Sequence, residues 1–165
     1  MIFMVVFGED LIRVSSTADA ASVTSAGIFL PSLHVSIGVS ILLLTVIRLA
    51  WRVINPPPAY PGTMKPWEVI ISKITHLLFY VLMLGLPVSG WLAFGSYSVE
   101  RPLIKVASVF GLFPMPVGPD LGQISPAMHG LGRNAAIALV ILHVLAALKH
   151  QFIDGDTVMR RMLPH

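Results

Sequence analysis

Three stretches of this chain are too long and too apolar to fold as ordinary surface elements. They are LHVSIGVSILLLTVIRLAW from Leu33 to Trp51, ITHLLFYVLMLGLPVSGWLAFG from Ile74 to Gly95, and roughly Pro126 to His150. Each approaches or exceeds the ~20 residues that cross about 30 Å of hydrocarbon. Lipid offers no partner to an open strand edge, so all three are expected to be helices. The composition agrees: 55% of residues are apolar and only 12% charged, against roughly 25% charged in soluble domains. The chain therefore reads as an all-α integral membrane protein, with no repeat and no separate soluble domain.

Proline sets the boundaries. Pro56, Pro57, Pro58, Pro61 and Pro66 cannot be helix interior, so residues 53–68 are expected to form a loop. Pro87 falls inside the second apolar window, where it should kink the helix without ending it, and Gly85 and Gly90 nearby permit close packing. Lys and Arg favour the cytoplasmic side of short loops. Arg48, Arg52, Lys65 and Lys73 flank the first loop, and Lys149, Arg160 and Arg161 flank or follow the last helix, which puts both inside and the segment from about Ser96 to Ser125 outside. The net charge of +3 thus reflects topology, and nucleic-acid binding has no basic soluble patch to support it. Trp51, Trp67 and Trp91 read as interface markers.

The first residues, MIFMVVF, make only about 10 Å of helix before Gly8, Glu9 and Asp10, too short to span and without the basic leader of a signal peptide. Residues 1–8 are expected to be the last turns of an inward-to-outward helix whose start lies outside this sequence. A short re-entrant or interfacial tail is the competing reading. The expected architecture is a four-helix transmembrane bundle with a truncated first helix, forming one domain over residues 1–165 with complete helices at about 33–54, 69–95 and 126–152.

Histidines carry the chemistry. His129 and His143 lie fourteen residues apart on one helix, which places them on one face about 21 Å apart, one near each membrane surface. A lone histidine in an apolar helix is more often a hydrogen-bonded core residue than a ligand. Two on one face are different, because polar groups inside a membrane are costly and usually functional. Neutral imidazole is the usual protein ligand of haem iron. His34, near the outer start of its helix, matches His129 in depth and can approach the same iron from the opposite side. His143 needs a partner near the inner surface, for which His76 and a ligand in the absent part of the first helix are both open. With no cysteine, covalent c-type haem, cysteine-ligated iron–sulfur clusters and disulfides are excluded, and two non-covalent haems b fit this histidine set.

Secondary traces are weaker. Gly38 follows His34 by one turn, and Ala136 and Ala147 lie near the His129 and His143 face, where small residues make room for a flat porphyrin but also promote helix packing. Arg48, fourteen residues after His34, could bind haem propionates at the inner surface or act as a positive-inside anchor. His150 could compete as a ligand, although its helix-end position favours solvation, and His165 is terminal.

The segments HVSIGVSILLLTVIRLAWR, ITHLLFYVLMLGLPVSGW, MHGLGRNAAIALVILHVLAALKHQF and DGDTVMRRMLP resemble the prokaryotic cytochrome b-561 family over about residues 30–164. The resemblance implies a four-helix, two-haem, quinone-linked electron carrier of the bacterial inner membrane, in a family that includes oxidases of superoxide that reduce ubiquinone. It implies one haem on His34 and His129, and another on His143 and a histidine early in the first helix. No histidine precedes His34 here, which is consistent with truncation and puts the inner haem in doubt. His76 matches a family histidine that is not the usual axial ligand. The function expected is electron transfer between an outer-surface donor and quinone. Superoxide is the most concrete donor, with Arg13, Arg101, Lys105 and Arg133 available to attract an anion. The alternative is a cytochrome b subunit of a larger respiratory complex, with no substrate site of its own.

Overall fold

The computed structural model describes residues 25–100 and 107–155. Residues 1–8, Arg13, Arg101, Lys105, Arg160, Arg161 and His165 fall outside them, and with them the expectation of a truncated first helix. The described residues form α1 (Ser25–Ile54), α2 (Pro66–Glu100), a short hairpin of β1 (Ser108–Val109) and β2 (Phe113–Pro114), and α3 (Ile124–Lys149), which runs into a π-helical turn at His150–Asp154. All three long helices are apolar enough to cross a membrane. Their outward faces, including Leu43, Leu44 and Ile47 on α1 and Leu142 and Leu145 on α3, are exposed as a lipid-facing surface requires.

The helices outrun the apolar windows for local reasons. Pro66 begins α2 instead of lying in the loop, because a first-turn residue needs no backbone donor. Glu68 reaches back to accept the Lys65 backbone N–H at 2.9 Å, as in a capping box. At its other end α2 continues past Gly95 to Glu100, and Gly95 is where the carbonyls of Gly118 and Pro119 press against the helix. Helix α3 stops being α-helical at Lys149, and the wider turn that follows brings Lys149 and Asp154 into an ion pair before Gly155, at φ 62°, ends it.

The connection between α2 and α3, on the side that the Lys and Arg distribution assigns to the outside, is folded down onto the helices. Phe110 and Gly111 both take positive φ, 53° and 71°, in the turn that reverses the hairpin. Two serines one turn apart on α1 hold it: Ser32 Oγ accepts the Ser108 N–H at 3.0 Å, and Ser36 Oγ accepts the Phe110 N–H at 2.7 Å. Helix α1 itself begins at Ser25, eight residues before its apolar window. Trp91 donates its indole N–H to the Pro116 carbonyl at 3.0 Å, and the Ser96 and Ser125 hydroxyls meet at 3.2 Å. The best-buried apolar cluster, Phe94 and Ala107 with Val35, Tyr97 and Met115 against it, lies under this outer cover.

Helix α2 packs against both α3 and α1, whereas α1 and α3 approach each other little. A cavity of about 550 Å³ occupies the space between them at the outer end. Removing the Ser36 hydroxyl should strand the Phe110 N–H. Ser36→Ala is therefore expected to cost about 1–3 kcal/mol, read as a lower thermal midpoint and faster proteolysis within residues 107–123 in detergent.

Candidate haem site

His34 projects into the cavity from α1 and His129 from α3. Their ring centroids are 6.1 Å apart and the rings cross at 70°. With a metal–nitrogen bond of about 2 Å and a ring radius of about 1.1 Å, imidazoles on opposite sides of one metal have centroids about 6 Å apart.

The two imidazoles are prepared differently. His129 Nδ1 lies 3.1 Å from the Leu86 carbonyl oxygen and 3.2 Å from Ser89 Oγ. A carbonyl can only accept, so this contact puts the ring proton on Nδ1 and leaves Nε2 with a free lone pair. Fixing the tautomer through the second nitrogen is how proteins orient ligating histidines. Gly90 supplies the space: a Cβ there would lie 2.9 Å from His129 Cε1. His34 has the opposite character. Its Nδ1 is a buried side-chain atom with no hydrogen-bond partner among the described residues, so no hydrogen bond at that nitrogen fixes its tautomer.

The walls suit a flat apolar group. Gly38, Gly90 and Gly130 contribute no side chain, and a Cβ on Gly38 would meet nothing within 4 Å. Phe94, Tyr97 and Trp91 line the outer side, and Val109, Phe113 and Met115 of the folded-down connection roof it. Arg133 reaches the cavity one turn beyond His129, with its guanidinium hydrogen-bonded to Asn134 Oδ1 at 3.0 and 3.2 Å. The residues present therefore fit an iron porphyrin, with two imidazoles for the metal and apolar walls for the ring.

At the inner end His76 faces His143 with centroids 5.9 Å apart, a spacing nearly equal to that of the outer pair. The surroundings differ. The Phe79 ring packs edge-on against His143 at 5.2 Å, and His76 Nδ1 lies 3.4 Å from Ser72 Oγ. His76 borders a smaller cavity of about 210 Å³, which His143 does not line. Arg48 lies beside His76 and Tyr80. His150 is turned to the ionic cluster at the end of α3, where its Nδ1 is 3.2 Å from Asp154 and Lys149 bridges Asp154 to Glu68. The Glu68, His150 and Asp154 ligand atoms lie within 4.8 Å of one another, but the Lys149 ammonium supplies the positive charge there. Ala136 is fully buried.

Sequence reasoning did not find Leu86, Ser89, Ser32 or Ser36. Gly90 was visible only as a packing residue, and LPVSGW gave no sign of which histidine its carbonyl and hydroxyl would meet.

A family model described as prokaryotic cytochrome b561 matches residues 1–165. Cytochrome b561 homolog 2 of Escherichia coli strain K12 is 36% identical over 137 residues, covering 81% of this chain and 70% of its own. The probable superoxide oxidase CybB of Yersinia pestis is 28% identical, over 80% of this chain and 73% of its own. Cytochrome b562 of Cereibacter sphaeroides is 28% identical, over 99% of this chain and 85% of its own.

Because a side chain at position 90 would collide with the His129 ring, Gly90→Ala is expected to displace the imidazole and lower haem content several-fold. Soret absorbance per milligram of purified protein measures this, and unchanged absorbance would mean that the ring relaxes freely.

Proposed function

The chain belongs to the prokaryotic cytochrome b561 family, multi-pass membrane b-type cytochromes of the bacterial inner membrane, and from that premise we propose that it transfers electrons between an outer-surface donor and membrane quinone. The observation that carries the reading is the His34–His129 pair, 6.1 Å apart across the outer cavity. These two side chains hold the outer haem. The haem supplies one-electron Fe(III)/Fe(II) chemistry when bound. His129 is kept in the ligating tautomer by the Leu86 carbonyl, and Val109, Phe113 and Met115 of the outer connection line the cavity. Apolar burial and the hydrogen bond on the second imidazole nitrogen are the levers that tune potential.

Superoxide is the donor that the outer position favours. The Yersinia pestis relative is named as a probable superoxide oxidase, and Arg133 brings a cation to the cavity wall. The overall reaction would balance as two superoxide ions, one quinone and two protons giving two dioxygen molecules and one quinol. The alternative is a cytochrome subunit that docks a partner dehydrogenase, favoured by the exposed apolar hairpin tip, where Leu112 is 79% exposed beside Phe110 and Phe113.

His143 is the proposed inner ligand. His76 is its facing imidazole among the described residues, yet Phe79 rather than open space adjoins His143, which favours a ligand other than His76.

His34→Ala and His129→Ala are each expected to remove the same haem while the chain stays membrane-inserted. Pyridine haemochrome quantitation per chain checks this, and unchanged stoichiometry in both variants overturns the assignment. In the same assay His76→Ala should retain all haem; a haem lost in both His76→Ala and His143→Ala would make these two a ligand pair. Purified protein in quinone-containing liposomes should reduce quinone on superoxide generation without any partner. Haem reduction only after adding a dehydrogenase would favour the subunit reading.

A further inference from the structure

The inner end of the molecule holds a second concavity of about 210 Å³ lined by Arg52, Tyr60, Lys73, His76, Leu77 and Tyr80. Three parts of the chain converge on it: the last turn of α1, the proline-rich loop through Tyr60, and one face of α2. Arg48 adds a further cation, one turn before Arg52, and both guanidinium groups bear on Tyr80, with Arg52 Cζ 5.6 Å from the ring centroid. No carboxylate lines the concavity. The positive-inside tendency accounts for cations on this side. It does not account for their gathering with two phenols around one hollow, because like charges one turn apart repel.

We propose that this concavity binds the phosphate of an anionic phospholipid from the cytoplasmic leaflet. Arg52 and Lys73 supply the charge, and the Tyr60 and Tyr80 hydroxyls supply neutral donors. The choice of a lipid over a free anion comes from Leu77. It lines the hollow and opens an exposed apolar stripe, Leu77, Val81 and Val88, that runs along α2 toward the membrane interior. A headgroup held by the cations would lay an acyl chain along that stripe. The lipid would also join loop to helices, since Tyr60 is the loop's contribution to the hollow. This inference needs only the membrane setting and is independent of which donor the cytochrome uses.

The test uses the full chain, purified with its haem and exchanged into phosphatidylcholine nanodiscs with or without phosphatidylglycerol. Native mass spectrometry should find phosphatidylglycerol retained in preference to phosphatidylcholine. Arg52→Gln with Lys73→Gln should weaken that retention about thirtyfold, equivalent to about 2 kcal/mol at 1.4 kcal/mol per tenfold, with the Soret spectrum unchanged. Tyr60→Phe, which leaves every helix intact, should weaken it a few-fold and decides the matter if the double variant does not fold. Equal retention of the two lipids, or retention undiminished in the variants that fold, overturns the proposal. Displacement of the lipid by millimolar inorganic phosphate would make the site one for free phosphate, and displacement by a short-chain quinone would make it a quinone pocket. Loss of haem in the double variant would assign the cations to haem carboxylates instead.

Discussion

A polar group carried into hydrocarbon must find its partner inside the protein, and this single requirement organises the outer half of the molecule. Ser36 and Ser40 donate their hydroxyls to carbonyls one turn back on α1, and Thr45 does the same deeper in the membrane. Ser32 and Ser36 then accept backbone N–H groups from the hairpin. The same requirement acts on His129, whose Nδ1 finds the Leu86 carbonyl. Satisfying that nitrogen leaves the other with a free lone pair, so the rule that makes the helix tolerable in lipid also sets the tautomer that the proposed haem ligation requires.

His34 shows the complementary case. Its Nδ1 is buried and has no partner among the described residues, so the cavity between α1 and α3 contains one imidazole fixed by the protein and one that is not. An iron bound between them would draw on both. Helix α2 supports the His129 ring: Leu86 and Ser89 hold it, and Gly90 leaves it space.

The inner half is built on charge. Glu68 caps α2 and also accepts Lys149 from the end of α3 at 3.0 Å, which ties the two inner helix ends together. Across α2, Arg52 and Lys73 have no such acid among the residues lining their concavity, and Arg48 adds a further cation beside Tyr80. One inner cluster is thus internally neutralised, while the other gathers cations without a lining carboxylate.

The sequence by itself determined the class, the three spanning helices and the histidines worth naming. Hydrocarbon length and backbone satisfaction act on composition and on runs along one chain, and the fourteen-residue spacing of His129 and His143 follows from helix geometry alone. Depth matching also paired His34 with His129 without knowledge of packing. Helix ends were less legible: Pro66 starts α2 and Gly95 lies inside it, because capping by Glu68 and cover by the outer connection override local signals. Only the tertiary structure decided that Leu86, Ser89 and Gly90 support His129, that two serines dock the hairpin, and that His76 faces His143 with Phe79 alongside. Those contacts depend on how each helix is rotated against its neighbour, and a single apolar sequence leaves that rotation open because lipid-facing and protein-facing positions can be equally hydrophobic.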